Sequence, residues 1–280
     1  IWLRTFPRRW THEPLFPQQL GGGNLPSPVS SPDVCSNRSH IATPSAFGSG
    51  AFCWGRVMTI IREERIGDCR LIQGDCLEVM PLLDTSDLVL TDPPYGIQAD
   101  KGFEGFEGFG GFGKPIPRKQ YVGNWDDNRP NRATFEAIIA AGTASIIFGG
   151  NYFTDLLPVG RQWFVWDKKN TMPTFSDCEL AWTNIDRKSV KLLTYEYNGL
   201  IGKREQRVHP TQKPVQLYEW ILDTYVKEGS KIIDTHLGSG SIAEACWNRK
   251  YDLVGIEIDK EYYSKASKRL EAHKKQLTLF

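Results

Sequence analysis

A short apolar run, a glycine-rich turn and a helical stretch follow one another directly in this chain, and few fold classes use that order. Residues 232–234 have strand character, the turn contains Gly238 and Gly240, and 242–247 are helical in pattern. Glycine lets a ligand approach backbone that a side chain would cover. Glu257 closes the next strand-like run about 20 residues later, a spacing typical of an acid that binds ribose hydroxyls. The pattern predicts a doubly wound α/β fold with a ligand site at the turn.

The turn alone leaves its ligand open. It lacks the Gly-Lys-Ser/Thr ending of a P-loop, which disfavours ATP, and it does not have the wider spacing of a dinucleotide-binding turn. A tight connection without a ligand, as occurs in any doubly wound fold, is the simpler alternative. A second signal elsewhere in the chain is needed to choose between them.

Other runs in the chain fit the same fold. Residues 71–75, 145–148 and 162–166 have the length and composition of strands, whereas 134–141 has a helical pattern. Asp75 stands where it would cap a short helix. Alternating strands and helices predict a mostly parallel sheet covered on both faces.

The sequence Asp92-Pro93-Pro94-Tyr95 combines an acceptor, two rigid residues and an aromatic ring directly after an apolar run. Group transfer to the exocyclic amine of a base needs these properties, because the amine lone pair is spread into the ring and attacks poorly. The Asp92 carboxylate and the Pro93 carbonyl are each able to accept one amine hydrogen, while Tyr95 stacks on the base. Proline holds φ at about −65° and so sets the loop in advance. The alternative is an ordinary turn in which Asp92 caps a helix and Tyr95 covers the sheet edge.

A third segment, 209–214, leads into a helical pattern over 215–226, with Pro214 expected in the first turn. The amino end of a helix attracts anions, so Thr211 and Lys213 are candidates for binding one. A proline-capped helix with one solvated lysine is the alternative.

Together the three segments resemble the amino-group DNA methyltransferases that modify adenine N6 or cytosine N4. Residues 92–95 are similar to that family's motif IV, 209–214 to motif X and 232–241 to motif I, in the order of the beta class. The resemblance implies an α/β fold with a doubly wound, mostly parallel sheet of the S-adenosylmethionine-dependent methyltransferase type, with a circularly rearranged motif order, over residues 58–280.

The resemblance also implies two sets of site residues. The catalytic set is Asp92, Pro93, Pro94 and Tyr95, and the set that binds S-adenosylmethionine is Asp75, Thr211, Lys213, Asp234, Gly238, Ser239, Gly240 and Glu257. Thr211 and Lys213 would hold the methionine carboxylate of the cofactor. The family usually has Asp-Pro-Phe where this chain has Asp234-Thr235-His236, which puts the packing beneath the cofactor in question. We interpret His236 as a tolerated replacement, with a polar role beside the cofactor as the alternative.

The activity implied is methylation of adenine N6 in a short site of double-stranded DNA, by flipping the base and transferring the methyl directly. Asp rather than Ser at position 92 favours adenine over cytosine N4. Carbon methylation would need a cysteine after proline, and the chain has no Pro-Cys pair. A relative that binds DNA without transferring methyl groups stays open, because of the Thr235-His236 departure. An RNA methyltransferase is disfavoured, since no RNA-binding module is visible.

Local charge indicates where DNA would be contacted, because the formal net charge of +1 creates no global field for a polyanion. Between 187 and 207 there are six basic and two acidic residues, interleaved with tyrosines. Basic side chains attract phosphates irrespective of sequence. We interpret 168–208 as a small DNA-recognition segment, with a solvated loop as the alternative; its candidate contacts are Arg187, Lys188, Lys191, Lys203, Arg204 and Arg207.

Two segments differ in composition from the rest. Residues 101–124 begin with phenylalanines at every third position among glycines, which predicts a flexible loop, either a simple surface insertion or a lid beside Tyr95. Residues 1–57 hold 7 of the 17 prolines and no lysine, and Met58 precedes the first amphipathic sequence. We expect 1–57 to be disordered or a leader that is not native to the protein.

Cysteine spacing and hydropathy bear on the cellular setting. The six cysteines include no Cys-x-x-Cys pair, so we expect neither a metal site nor a disulfide framework. No apolar run approaches the roughly 18 residues of a membrane span, so no membrane is expected. The resemblance implies a cytoplasmic enzyme of a bacterial or phage-infected cell, and a cognate restriction endonuclease is a candidate partner. Oligomeric state stays open.

Overall fold

The computed structural model describes residues 59–98, 126–169, 176–186, 189–197, 208–209 and 211–277. The segments 1–57 and 101–124, for which disorder and a flexible loop were predicted, lie outside these residues. None of the helices in the described part of the chain has both the length and the apolar character needed to cross a membrane.

The described residues form a single mixed sheet of nine strands in the spatial order β1-β2-β9-β8-β3-β4-β6-β5-β7. The strands are β1 (Ile60–Ile66), β2 (Cys69–Gly74), β3 (Ser86–Thr91), β4 (Gly142–Phe148), β5 (Gln162–Asp167), β6 (Cys178–Thr183), β7 (Lys191–Thr194), β8 (Lys231–Asp234) and β9 (Asp252–Glu257). The five central strands, from β2 to β4, are mutually parallel, whereas β1 and β6 pair antiparallel with their neighbours. The prediction of a mostly parallel sheet is confirmed.

Five α-helices cover this sheet within the described residues, which also contain short 3-10 helices at Met80–Leu82 and Gly150–Tyr152. The α-helices are α1 (Cys76–Val79), α2 (Arg132–Ala140), α3 (Val215–Tyr225), α4 (Ser241–Arg249) and α5 (Lys260–Leu277). The Asp75 carboxylate accepts a hydrogen bond from the Leu77 N–H and caps α1, as its position in the sequence predicts. Pro214 is the N-cap of α3 instead of lying in its first turn, because its extended backbone (ψ 148°) places it before the helix. That expectation was therefore wrong by one residue.

The side-chain alternation of each central strand builds a core on both faces of the sheet. In β3, Leu88 and Leu90 enter the cluster beneath α3 and α4, while Val89 enters the cluster beneath α1 and α2. In β4, Phe148 and Ile147 divide between the same two clusters. Each such side chain contributes about 1.5–3 kcal/mol by leaving water. Strands that are apolar at every position thus require helices on both faces, which is why the sheet is doubly wound.

The position of the ligand site follows from the connections between strands. After β8 the chain passes through α4 on one face to β9, whereas after β3 it passes through α2 on the other face to β4. Strands β3 and β8 are adjacent and parallel, so their carboxyl ends meet where the direction of winding reverses. Crevices at such switch points are where doubly wound proteins bind ligands.

Candidate active site

Asp92 and Tyr95 leave the carboxyl end of β3 as a tight hydrogen-bonded loop. The Tyr95 hydroxyl donates to Asp92 Oδ1 over 2.6 Å. The Tyr95 ring stacks on Tyr152, with 4.8 Å between ring centroids, and meets the edge of Phe153. Gly149, with φ of 67°, lies so close that an added Cβ would be 2.2 Å from Tyr95 Cε1. The loop is therefore held in one geometry from several sides.

Lys213, which lies just before α3, reaches the same carboxylate. Its ammonium forms an ion pair with Asp92 and lies 3.3 Å from both the Tyr95 hydroxyl and Glu179 Oε2. The lysine side chain is only 4% exposed. Burial raises the pKa of Asp92, and the charge of Lys213 opposes that rise. The sequence interpretation placed Lys213 on a cofactor carboxylate, whereas its contacts here are with protein carboxylates.

The glycine turn after β8 is held in place by Glu257 at the end of β9. The Gly238 N–H donates to Glu257 Oε2 and the Asp259 N–H donates to Glu257 Oε1, each over 2.8 Å. Gly238 and Gly240 have φ of 52° and 74°, and a Cβ on Gly240 would lie 3.0 Å from that of Ala266. Glycine is thus required at 240 for close helix packing as well as for backbone conformation. A carboxylate has further lone pairs, so Glu257 is still able to accept from a ligand hydroxyl.

Thr235 and His236, which depart from the family pattern, form a small polar cluster with Asp234 and Thr91. The Asp234 carboxylate accepts from the His236 N–H over 3.0 Å, and His236 Nδ1 lies 2.9 Å from Thr235 Oγ1 and 3.4 Å from Thr91 Oγ1. Burial lowers the pKa of His236 to about 4 and raises that of Asp234 to about 7. His236 is therefore neutral at pH 7, and its Nδ1 has hydroxyl partners.

Two adjoining cavities open at this end of the sheet and share His236, Glu257 and Ile258 in their walls. The first has a volume of about 190 Å³ and collects most of the predicted site residues: Asp92, Pro93, Pro94, Tyr95, Thr211, Lys213, Gly238, Ser239 and Glu257. The second, of about 220 Å³, is lined by Asp75 and again by Glu257. Asp234 and Gly240 are buried and line neither cavity. Residues distant in the chain therefore meet around one connected space.

The predicted DNA contacts are only partly covered by the structure. Lys191 begins β7 at the edge of the sheet and is exposed. Arg187, Lys188, Lys203, Arg204 and Arg207 lie outside the described residues. The proposed contacts of this segment stay predictions.

Several residues at the site were not assigned a role from the sequence. Glu179 lies in β6, where no strand was predicted, and it becomes relevant only because the fold brings it to Lys213. Asp126 lines the first cavity and accepts the Gly96 N–H over 2.8 Å. His209 packs on Tyr262 with 4.4 Å between ring centroids. Of these only His209 had a local signal, since it belongs to the segment resembling motif X.

Glu257 makes the stability of the ligand-free protein depend on pH. Burial raises its pKa to about 7 from an ordinary 4.5, although the backbone N–H groups of Asp259 and Gly238 oppose the rise. Because the pKa of Glu257 is raised in the folded state, its carboxyl contributes its full stabilisation below about pH 4.5. That contribution is lost as the pH rises through about 7. We expect Glu257→Gln to gain stability relative to the parent protein across that interval, by up to about 3 kcal/mol.

Thermal melts of the two proteins between pH 4.5 and 7.5 measure this difference. Glu261→Gln is the control, because that side chain is 68% exposed at the start of α5. If the difference in melting temperature between Glu257→Gln and the parent were the same at every pH, the raised pKa of Glu257 would be contradicted.

Comparison with known proteins gives a match to a family model over part of the chain. Residues 163–268 match the family model described as DNA methylase. The Type II methyltransferase M.HpaI of Haemophilus parainfluenzae is 25% identical over 246 residues, covering 73% of this chain and 75% of that protein.

Two solved structures also align with this chain. The M1.HpyAVI–SAM complex aligns with a TM-score of 0.48 and 24% identity, covering 72% of this chain and 100% of that one. PvuII DNA methyltransferase, whose description is cytosine-N4-specific, aligns with a TM-score of 0.47 and 14% identity, covering 71% of this chain and 85% of that one.

Proposed function

We propose that this chain, whose residues 163–268 match the DNA methylase family model, transfers a methyl group from S-adenosylmethionine to N6 of adenine in double-stranded DNA. The observation that carries the proposal is the first cavity. The Asp92–Tyr95 loop at the end of β3 and the Gly238 turn at the end of β8 line it together. Methyl transfer needs a group that binds the target amine and a turn that admits a cofactor. Both line this cavity.

The residues around the turn fit the proposed cofactor. A Cβ added to Gly238 would meet no neighbour nearer than 3.8 Å, so the space in front of the turn is open. Asp75 and the exposed Ile258 in the second cavity suit the adenosine end, and Thr211, near the amino end of α3, suits the carboxylate end. Asp234, Ser239 and Gly240 shape the turn. S-adenosylmethionine supplies an electrophilic methyl group on a sulfonium.

The chain's own residues then prepare the amine. The Asp92 carboxylate and the Pro93 carbonyl accept the two amine hydrogens, which favours the pyramidal nitrogen whose lone pair attacks. Pro94 keeps the loop rigid, and Tyr95 fixes the plane of the base by stacking. No covalent enzyme intermediate is required.

A stacked base in a duplex does not reach this cavity, so the target nucleotide has to be flipped. Unpairing costs a few kcal/mol, which stacking and hydrogen bonding in the cavity offset. We propose that basic residues of the segment 168–208, including Lys191, hold the flanking phosphates.

The test is incubation with methyl-labelled S-adenosylmethionine and unmethylated bacterial genomic DNA, followed by nucleoside digestion and mass analysis. Label on N6-methyladenine supports the proposal. Label on N4-methylcytosine keeps the mechanism and corrects the base, since the same acceptors serve either amine. Cofactor binding without label on DNA would overturn the proposal and favour a DNA-binding relative or an RNA substrate.

A further inference from the structure

A chain of alternating charges begins at the Asp92 carboxylate; Lys213 is its buried member, and the other three side chains are about one-fifth exposed. Lys213 lies between Asp92 and Glu179, and Lys168 forms an ion pair with the other side of Glu179. The Lys213 ammonium also lies 4.6 Å from the centre of the Phe148 ring. Two cations and two carboxylates balance, so each charge has an opposite neighbour in a site that largely excludes water.

The contacts of Lys213 use the hydrogen-bonding capacity of its ammonium. That group has three N–H donors. Asp92 Oδ2, the Tyr95 hydroxyl and Glu179 Oε2 lie around it within ion-pair or hydrogen-bond distance. Hydrogen bonds to Asp92 and Tyr95 use two of these donors, and the ion pair with Glu179 places a second carboxylate beside the ammonium, so little room is left for the carboxylate of a cofactor.

We propose that Lys213 and Glu179 are positioning residues for methyl transfer: Lys213 holds Asp92 as an oriented carboxylate, and Glu179 fixes Lys213. The inference rests on the proposed function and reassigns Lys213 from the cofactor to the acceptor loop. Asp92 is the group that meets the target amine, and the other two act through it. No additional bond is made or broken.

The electrostatics of the cluster explain why Asp92 needs a cation. Burial raises the pKa of Asp92, which favours its protonated form, and a protonated carboxyl is a weaker acceptor for an amine hydrogen. Burial acts to lower the pKa of Lys213, but the charges of Asp92 and Glu179 outweigh it and hold that pKa above its ordinary value. Lys213 therefore stays charged and opposes protonation of Asp92.

Other titratable groups face Asp92 and set the background against which Lys213 acts. Tyr95 and Glu179 act directly on its charge, Glu179 is itself paired with Lys168, and the charge of Asp92 in turn raises the pKa of Tyr218 of α3 and Asp234 of β8; Asp126, His209, His236, Glu257, Asp259 and Tyr262 line the same cavity. The charge of Glu179 raises the pKa of Asp92 and so disfavours its charged form. Removing Lys213 would take away the cation that opposes burial and Glu179.

Lys213→Met tests the proposal, because methionine keeps the length of the side chain and removes the charge. We expect the single-turnover rate at saturating cofactor to fall on the order of 10²-fold at pH 7 and to recover partly as pH rises. The affinity for S-adenosylmethionine should stay within about threefold of the parent. Glu179→Gln should show a smaller loss without that recovery at high pH, because Glu179 raises the pKa of Asp92 and its removal favours the charged carboxylate. Lys213→Arg should restore the parent pH profile.

Lys268→Met is the matched control, because Lys268 is an exposed lysine on α5 and lines neither cavity. It should behave as the parent in both assays. A tenfold or greater loss of cofactor affinity in Lys213→Met, with an unchanged rate and pH profile at saturation, would overturn the proposal and return Lys213 to the cofactor.

A second measurement does not depend on activity and separates this inference from the proposed function. The carboxyl carbon of Asp92 is titrated by NMR in protein labelled at aspartate, with Asp92→Asn identifying the signal. Its titration midpoint should be higher in Lys213→Met than in the parent. An unchanged midpoint refutes the positioning role even if the parent methylates DNA, whereas a raised midpoint in a protein that transfers no methyl refutes only the proposed function.

Discussion

Asp92→Ala is expected to lower the rate of methyl transfer by about 10³-fold while the affinity for S-adenosylmethionine changes little. The carboxylate faces the cavity and binds Tyr95 and Lys213, and it makes no hydrogen bond to the Gly238 turn among the described contacts. Its removal takes away the acceptor for the target amine and leaves the turn intact. Single-turnover assays with labelled cofactor, alongside equilibrium binding of that cofactor, measure both quantities.

The same variant has a cost in stability that must be measured beside its activity. Removing one partner of a buried ion pair costs about 3–5 kcal/mol when nothing else compensates, and here Glu179 still pairs with Lys213. We therefore expect a smaller loss than that range. Asp92→Asn, which keeps the shape and an acceptor for Tyr95, should melt closer to the parent and still transfer poorly.

Asp223→Ala is the control for the loss of a carboxylate elsewhere. Asp223 pairs with Arg249 at the surface, with half of its side chain exposed, and such pairs contribute at most about 1 kcal/mol. It should transfer at the parent rate. If Asp92→Ala retained a tenth or more of the parent rate, Asp92 would not be the acceptor.

Local patterns predicted the elements around the site because those patterns are themselves local. The apolar run before Gly238 is β8, the helical pattern after Gly240 is α4, and Asp75 caps α1. Hydrophobic periodicity and turn residues depend on positions only a few residues apart, so a single sequence is enough to identify these elements. No local pattern states which strands are neighbours, so the pairing of β3 with β8 is seen only in the structure.

What could not be predicted depends on contacts across the sheet. Glu179 and Lys213 are far apart in the chain, and no spacing rule links an acid in β6 to a lysine before α3. The sequence places Lys213 near the start of a helix, and for that reason it was interpreted as an anion ligand. In the folded protein its side chain is buried and pairs with protein carboxylates. Electrostatic partners of buried groups are a property of the assembled fold.

Gly149→Ala is expected to reduce methyl transfer on the order of 10²-fold by moving Tyr95. A Cβ at this position would lie 2.2, 2.6 and 2.7 Å from Cε1, Cζ and Cδ1 of the Tyr95 ring, so the ring has to shift. That shift disturbs both the stacking on Tyr152 and the hydrogen bond to Asp92. Single-turnover rates and thermal melts of the variant measure the two consequences.

Gly229→Ala separates this steric effect from backbone strain. Gly229 has φ of 77°, similar to the 67° of Gly149, but a Cβ there would meet nothing within 4 Å. Both variants share the cost of a left-handed alanine, about 1–2 kcal/mol, and only one of them displaces Tyr95. Gly229→Ala should therefore melt a few degrees lower and transfer at the parent rate. Equal rates in the two variants would mean that the position of Tyr95 does not govern transfer, whereas a loss confined to Gly149→Ala assigns the effect to the ring.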